Sequence, residues 1–326
     1  MLKFPCMKLH LPHGAFLGNF DQFIQGFDPG DHKKISITAA DRWLWIHPLC
    51  LSMIAALASG LEAKNIRCQK ITAKSGHYLE RMGLFKFLGI KSGMRISRHD
   101  PSGRFIPLTQ IKNSTDLTKF ITEMIPLLHL QPKQVEPIRY IVSELVRNVF
   151  EHAASTQGAF VCAQYYARSN TIRIGIADTG IGIRESLGRS WPTANDLEAI
   201  ELALTPGITG ATSRAGGTAL NAGAGLFFIK SIAYTNRNFF IIYSGAAMYK
   251  LLKKKLSDPL ILHANPHLDR HSENKNAPKW QGAAIGIDIS LDSTSEFTAL
   301  LDLIRNTYSR AVKERKEQQF KKPKFI

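Results

Sequence analysis

The sequence is poor in cysteine and lacks the long apolar run of a membrane helix. Its four cysteines, at positions 6, 50, 68 and 162, are scattered and form no CxxC pair, which excludes a zinc ribbon and a dense disulfide framework. The apolar run LCLSMIAALASGL is shorter than the roughly 20 residues that a membrane helix requires. Prolines, histidine and glycine interrupt the first residues, so we expect no secretory signal. These absences favour a protein of the reducing cytoplasm with no membrane association.

Acidic residues are also scarce. The chain has 26 of them against 42 lysines and arginines, which gives a net charge of +16. The excess lies at the two ends, and the last residues read SRAVKERKEQQFKKPKFI. Such a tail allows contact with nucleic acid, anionic lipid or an acidic protein surface. The alternative is a solvated helix end that keeps the protein soluble.

The chain has 326 residues, of which 44% are hydrophobic, and this length favours two domains. Residues 1–100 alternate strand and helix signals in βαβα order, and a helix is expected from His47 to Lys64. A linker follows near residues 97–108. Residues 108–292 mix helices with strand pairs, which favours an α+β sandwich over a doubly wound sheet. In residues 293–326 the pattern predicts a final amphipathic helix that is capped by Ser293 and runs into the basic tail.

One predicted helix, from about Lys133 to Ala154, contains a row of polar residues. Glu144, Asn148 and His152 recur every four residues and lie beside the apolar stripe of this helix rather than opposite it. A carboxylate and an amide at the rim of a buried face need a partner, and a metal ion or water would serve. Capping of neighbouring loops, or contact with solvent, explains the row equally well.

Two glycine-rich turns follow this helix in the chain. Asp178 ends a strand of alternating isoleucines and opens a turn with Gly180 and Gly182. Glycines allow the backbone to approach a flat ligand, and the aspartate accepts hydrogen bonds from an amine. Farther on, Gly223 and Gly225 precede a helix whose first N–H groups are available to an anion such as phosphate. Each turn alone is also explained by a tight turn or a hinge.

Taken together, ExxxNxxxH, DxGxG and GxGL occur in an order and at a spacing that resembles the ATP-binding domain of the gyrase, heat-shock chaperone, histidine kinase and MutL (GHKL) superfamily. The resemblance covers roughly residues 110–292 and implies an α/β sandwich of a mixed sheet under helices that binds ATP and Mg²⁺. It implies that Asn148 holds Mg²⁺ and that Glu144 acts as general base. His152 completes the pattern of the anti-sigma serine kinases, although helix packing explains it as well.

The same resemblance assigns the remaining site residues. Asp178 matches the aspartate that recognises adenine, and residues 184–222 match the mobile ATP lid. Lys230 and Arg214 are candidate phosphate contacts. The glycines divide between the adenine pocket, with Gly180 and Gly182, and the phosphate-facing hinge, with Gly223, Gly225 and Leu226.

The amino-terminal run from KISITA to the closing YLERMGL resembles a STAS domain, the fold of anti-sigma-factor antagonists. Switching members of that family carry a phosphorylatable serine or threonine after an aspartate at the start of the first long helix. Here the equivalent stretch is WIHPLCLS, with neither residue at the turn. A docking or dimerising role is therefore expected rather than regulated phosphorylation, and a homodimer is allowed.

Some features depart from the superfamily. No phosphoacceptor histidine fits residues 100–133, which disfavours a two-component sensor. Gly282 is followed by Ala283 where some members carry threonine. His263, His267 and His271 recur every four residues, but Pro266 breaks any helix through them, which disfavours a zinc site.

Three functions stay open at this stage. The first is Mg²⁺-dependent ATP hydrolysis or phosphorylation of a protein serine or threonine, regulated by the STAS-like domain. The second is a nucleotide-sensing interaction module that binds ATP without turnover. The third is a nucleic-acid-associated ATPase that uses its basic ends, whose affinity for nucleic acid would fall steeply with salt.

Overall fold

The computed structural model of the chain describes residues 6–28, 33–94, 104–212, 223–291 and 297–320. Helices and strands are mixed along the chain, so the predicted α+β class is confirmed. No helix among these residues combines the length and the apolar character needed to cross a membrane.

The amino-terminal part, residues 6–94, contains short strands and helices. Its largest sheet has four strands in the order β3-β1-β4-β6, in which β1 pairs antiparallel with β3 and parallel with β4. The strand β1 was not predicted, because prolines at positions 5 and 12 flank its short alternation of buried Met7, Leu9 and Leu11. The elements are β1 (Met7–Leu11), β2 (Gly14–Ala15), α1 (Asp21–Gln25), β3 (Phe27–Asp28), β4 (Ile35–Ala39), β5 (Trp45–Ile46), α2 (Pro48–Ala58), β6 (Ile66–Cys68), α3 (His77–Arg81) and α4 (Leu84–Leu88).

The helix α2 is buried almost completely. It is apolar on all sides, as expected for a helix that packs on two faces, and all its residues but Leu57 are buried. It ends at Ala58 rather than at the predicted Lys64, because Ser59 is extended and its Oγ donates to the carbonyl of Ala56 at 2.7 Å. One of its faces contacts β8 and β9 of the large sheet described next.

The carboxyl-terminal part is built on a seven-stranded sheet in the order β12-β11-β10-β13-β9-β8-β7. Every neighbouring pair in it is antiparallel, so the mixed sheet predicted for this part was wrong. The reason is that β13 inserts between β9 and β10, which run parallel to each other. The strands are β7 (Phe105–Ile111), β8 (Ala159–Tyr166), β9 (Thr171–Ala177), β10 (Phe240–Gly245), β11 (Ala247–Leu251), β12 (His271–Asn274) and β13 (Trp280–Ser290).

Helices cover one face of this sheet. The predicted apolar stripe of α6 is buried throughout, as Ile138, Ile141, Val142, Leu145 and Val149 all lie in one core with residues of α9 and the sheet. The helices are α5 (Ser114–Lys119), α6 (Pro132–His152), α7 (Ile183–Gly188), α8 (Asp196–Ala203), α9 (Gly225–Thr235) and α10 (Phe297–Phe320).

The opposite face of the sheet contacts the amino-terminal part. Residues from both parts belong to one hydrophobic core, in which Phe160 and Tyr243 pack with residues of α2 and β4. Polar links join the same surfaces: Nζ of Lys250 lies 2.5 Å from Oδ2 of Asp21. The large sheet is therefore a middle layer with α6, α8 and α9 on one side and α2 on the other.

Two predicted boundaries changed. Residues 105–108 of the expected linker belong to the edge strand β7. The segment 184–222, expected to be one polar lid, contains α8 and most of α7. The final helix begins its described course at Phe297, and its predicted cap, Ser293, lies outside the described residues.

Candidate functional site

A cavity of about 260 Å³ lies between α6, the turn after β9 and the start of α9. Most of the site residues predicted from the sequence line it, although they come from three separate stretches of the chain. Those that line it are Glu144, Asn148, His152, Asp178, Gly182, Gly223, Gly225 and Leu226. Gly180 and Lys230 do not line it, although Gly180 packs on Ala153, which does.

Glu144 lies at the rim of the cavity. Both oxygens of its carboxylate lie 2.7 Å from Nη2 of Arg147, one turn farther along α6. Burial raises the pKa of Glu144, and the Arg147 guanidinium opposes this rise. Arg147 also lies 3.5 Å from Glu151. The carboxylate is thus held at the cavity by a cation that favours its ionised form.

Asn148 lies one residue farther along α6 than Arg147 and faces the start of α9. Its Nδ2 is buried and makes no hydrogen bond with any residue that the structure describes. A Cβ at Gly225 would lie 2.9 Å from Oε2 of Glu144 and 3.6 Å from Nδ2 of Asn148. The glycine therefore lets the first turn of α9 approach both side chains. An orphaned buried amide is costly in a folded protein, so its presence favours a bound ligand.

The N-cap residue of α9, Ala224, makes no side-chain hydrogen bond to the first turn of the helix. The first N–H groups of a helix have no partner within it and attract anions. Since Gly223, Ala224 and Gly225 line the cavity, these donors are placed at its edge.

His152 lines the cavity at the carboxyl end of α6. Burial lowers its pKa, and the neighbouring Glu151, 3.7 Å away, opposes this change. The imidazole is therefore mainly neutral at pH 7 and acts as a hydrogen-bonding group rather than as a charge.

Asp178 is the most buried polar residue of the cavity, with 2% of its surface exposed. Its Oδ1 accepts from the N–H of Gly180 at 2.8 Å, and its Oδ2 accepts from the N–H of Ala283 at 3.3 Å. Burial raises its pKa to about 7, although both of these hydrogen bonds favour the ionised form. Within the described part of the chain no cation is paired with it. The Asp178 carboxyl group therefore accepts hydrogen bonds at the cavity, and its charge changes near neutral pH.

Two glycines determine the shape of the turn beside Asp178. A Cβ at Gly180 would lie 2.0 Å from the carbonyl oxygen of Ala153, so only glycine lets the turn pack on the end of α6. Gly182 has φ of +83°, a left-handed conformation that favours glycine. The sequence predicted that glycine is needed at both positions for the backbone of the turn. In the structure the need is a close approach at Gly180 and a positive φ at Gly182.

Lys230 does not reach the cavity. Its ammonium group is fully buried and forms an ion pair with Asp269, and it also donates to the carbonyl of His263 at 3.3 Å. The predicted phosphate contact by this residue was therefore wrong. Lys230 lies one turn farther along α9 than Leu226, where its ammonium group contacts the segment 263–269 instead of the cavity. Arg214, the other candidate, lies outside the described residues.

Several site residues were missed. Arg147 was not identified because its partner lies within the same helix, and Gln281, whose Nε2 donates to the carbonyl of Gly180 at 2.6 Å, has no local motif. The apolar wall includes Ile176 and Ile285, which pair across β9 and β13. Strand alternation would have found Ile176 as a wall residue. Ile208 reaches the cavity from the segment after α8, for which the sequence carries no periodic signal.

No protein-family model matches the chain, and no curated protein matches it. Apolar isoleucines and a buried carboxylate suit a flat ring that carries an amine. A helix terminus, an amide and a second carboxylate at the other end suit phosphates with a divalent cation.

Proposed function

We propose that the protein binds ATP with Mg²⁺ in this cavity, in the manner of the GHKL superfamily. The observation that carries the proposal is that one cavity contains Asp178, a buried carboxyl group with no cationic partner among the described residues, and Asn148, whose buried Nδ2 has no hydrogen-bond partner there. A buried charge without a counterion and a buried donor without an acceptor are both costly. The antiparallel sheet with α6 and α9 on one face is consistent with the sandwich that the resemblance implies.

The donor set also fits Mg²⁺. Asn148 and Glu144 offer an amide oxygen and carboxylate oxygens beside the first turn of α9, which is the oxygen-only chemistry that this ion prefers. Asn148 would hold the ion, which when bound neutralises phosphate charge. The remaining contacts to the nucleotide come from the protein. Asp178 accepts hydrogen bonds from the adenine amine, and the N–H groups at the start of α9 orient the phosphates.

The catalytic step, if one occurs, depends on Glu144. As a general base it would take a proton from water or from a protein hydroxyl at one of its carboxylate oxygens. Arg147 holds both of those oxygens, so Arg147 must release at least one of them for catalysis. We propose that ATP hydrolysis or phosphorylation of a protein serine or threonine follows this release.

The contact of Arg147 favours a second candidate as well, a nucleotide-sensing module without turnover. In that case the Glu144–Arg147 pair at 2.7 Å persists in the nucleotide-bound state, and binding changes partner contacts. The nucleic-acid-associated ATPase stays a prediction, to be tested by the salt dependence of DNA and RNA affinity.

We also propose that residues 6–94 are a STAS-like docking unit. Ser52, the serine of the stretch WIHPLCLS, is buried and its Oγ donates to the carbonyl of Gly175 at 2.9 Å. A kinase has no access to it in this arrangement, which supports docking to the back of the sheet rather than regulation by phosphorylation at that serine.

The test follows the label of γ-labelled Mg·ATP with the intact chain and three variants. Asn148→Ala is expected to abolish binding, whereas Glu144→Gln is expected to bind ATP and release no phosphate. The matched control is Asn276→Ala, because Asn276 is exposed and remote from the cavity. Label transferred to protein indicates a kinase, and free phosphate indicates an ATPase. Label that stays in bound ATP indicates the sensing module, and ATP binding unaffected by Asn148→Ala would reject the proposal.

A further inference from the structure

A second cluster of ligating side chains lies at the outer edge of the large sheet. His267 lies in the 3₁₀ turn Pro266–Leu268, and His271 and Glu273 lie on β12. One ligand atom from each of these three residues falls within 4.8 Å of the others. Glu201 of α8 lies beside this group, with its Oε2 at 3.2 Å from Nε2 of His267, the ring nitrogen opposite the one near Glu273. Three potential metal ligands thus converge from a turn and an edge strand, and a helix supplies a carboxylate that contacts one of them.

The sequence disfavoured a zinc site here because Pro266 prevents a continuous helix. The structure brings His267 and His271 together by another route, since a tight turn followed by a strand also places their rings side by side, with centroids 6.2 Å apart. His263 does not join them. The four-residue spacing was therefore no guide to which histidines meet.

The hydrogen bonds of His271 leave a lone pair aimed at a carboxylate. Its Nδ1 lies 2.7 Å from the carbonyl oxygen of Asp269, which only accepts, so Nδ1 carries the hydrogen. In the neutral ring Nε2 is then unprotonated, yet it lies 2.9 Å from Oε1 of Glu273. Two acceptors at this distance require a proton or a cation between them. A histidine that donates to a backbone carbonyl through its other nitrogen is also the usual arrangement of a metal ligand.

Glu201 adds a second uncompensated acceptor. Its Oε1 is buried and makes no hydrogen bond within the described residues, and its side chain is 13% exposed. Lys275 lies 3.6 Å from Oε2 of Glu273 at the outer side, but it leaves the inner oxygen to the histidines. Two carboxylates and two neutral imidazoles would balance one dication.

The ring of His271 is held in place before any ion binds. It stacks on Tyr249 with ring centroids 4.9 Å apart and planes 13° apart. The hydroxyl of Tyr249 donates to the carbonyl of Pro266 at 2.9 Å, which also fixes the turn that carries His267. A preorganised histidine and turn reduce the cost of ordering the ligands on binding.

We propose that His267, His271 and Glu273 form a site for a divalent transition-metal ion, with Zn²⁺ as the preferred ion, and that Glu201 orients the ring of His267 through its other nitrogen. Tetrahedral zinc with bonds of about 2.0–2.1 Å separates its ligand atoms by roughly 3.3 Å, and Oε1 of Glu273 lies 2.9 Å from Nε2 of His271 and 3.9 Å from Nδ1 of His267. Two imidazoles with a carboxylate suit zinc better than Mg²⁺ or Ca²⁺. Ala203, on the same helix as Glu201, lines the cavity, so the ion would fasten one wall of that cavity to the sheet edge.

The experiment uses the intact chain without a histidine tag, stripped of metal with a chelator and kept free of nucleotide. Titration with Co²⁺ is followed by visible absorption, and competition with Zn²⁺ gives the affinity. We expect one ion per chain, the intense spectrum of tetrahedral Co²⁺, and a loss in affinity of at least about 100-fold in His271→Ala and in Glu273→Gln. His263→Ala is the matched control, because it removes a histidine of the same segment that lies outside the cluster.

Asn148→Ala keeps full metal binding if the site is separate from the cavity. Absence of a stoichiometric ion, or equal affinity in the intact chain and in His271→Ala, would overturn the proposal. Because Glu273→Gln removes a partly exposed group on an edge strand, its circular dichroism and thermal midpoint without metal establish that the variant is folded.

Discussion

Asp288 of β13 and His47, the residue before α2, form a buried hydrogen bond of 3.1 Å between Oδ1 and Nε2 although they are 241 positions apart. The other ring nitrogen of His47 accepts from the N–H of Leu49 at 3.0 Å and so caps α2. Since Nδ1 accepts and Nε2 donates, the ring is neutral. One side chain therefore both starts the buried helix and joins it to the large sheet.

We expect His47→Ala to lower the free energy of unfolding by about 3 kcal/mol, from a lost cap of roughly 1 kcal/mol and a lost hydrogen bond to a charged group. His47→Asn keeps the cap and is expected to lose about 1 kcal/mol less. Urea unfolding at pH 7.5 measures both. Equal losses in the two variants would contradict a capping role.

The same residue predicts a pH dependence of stability. Burial lowers the pKa of His47 below 6.5, so below that pH the unfolded chain binds a proton that the folded chain does not. The free energy of unfolding therefore decreases as the pH falls below about 6.5. We expect His47→Asn to lose less stability than the intact chain between pH 7 and pH 5.5.

The charge of Asp178 predicts that ATP affinity depends on pH. Its pKa is raised to about 7, and only the ionised carboxylate accepts through both oxygens. We expect the affinity for Mg·ATP to fall about tenfold from pH 8 to pH 6, since one unit below the pKa leaves about a tenth of the group ionised. Isothermal titration calorimetry at several pH values measures this.

Asp178→Asn is the matched variant. Its side chain is neutral at every pH, so it is expected to bind ATP weakly and without this dependence. A decrease of the same size in Asp178→Asn would assign the effect to another group, such as His152 or the phosphates of the nucleotide.

Arg147 determines how readily Glu144 acts as a base. Its guanidinium opposes the rise in pKa that burial causes at Glu144. In an enzyme, Arg147→Met is expected to move the acidic limb of the pH–rate profile to higher pH, because the carboxylate then takes a proton more readily. Arg305→Met, which removes an exposed arginine of α10, is the control and is expected to leave the profile unchanged. A profile that does not move in Arg147→Met would mean that another group supplies the base.

Lys230 and Asp269 predict a loss of stability without a loss of binding. Both side chains are fully buried, and removing one partner of a buried pair leaves an uncompensated charge, at a cost of about 3–5 kcal/mol. We expect Lys230→Met to be strongly destabilised and the double variant Lys230→Met with Asp269→Asn to recover part of this. Chemical unfolding measures the free energies. The folded fraction is expected to bind ATP as the intact chain does, and a selective loss of affinity would restore Lys230 to the site.

Local patterns were enough to predict much of the cavity. The apolar stripe of α6 fixed the phase of the helix, so Glu144, Asn148 and His152 could be placed on one line beside the core. Asp178 could be predicted as a site residue because it directly follows a strand of alternating isoleucines. The phosphate contact predicted for Lys230 was wrong because the residue is buried in an ion pair with Asp269. This partner is 39 residues away, so no local pattern reveals the pair.

Long-range pairing explains the remaining differences. The antiparallel course of the large sheet depends on β13 entering between β9 and β10, and no local pattern states where a late strand inserts. The amino-terminal part posed the same difficulty. Its buried helix α2 predicts a core, but the hydrogen bond from His47 to Asp288 could not be predicted from either stretch alone.

The arrangement in layers affects the choice of fragments for expression. A fragment that begins at residue 104 would carry every cavity residue named above, yet its sheet would present Phe160, Ala177, Ile241 and Tyr243 to water, because these side chains pack in the core shared with residues 6–94. An exposed apolar sheet face of this kind promotes aggregation. Insolubility of such a fragment would thus reflect a missing cover rather than a defective nucleotide pocket, and supplying residues 1–94 as a separate polypeptide is the remedy to try.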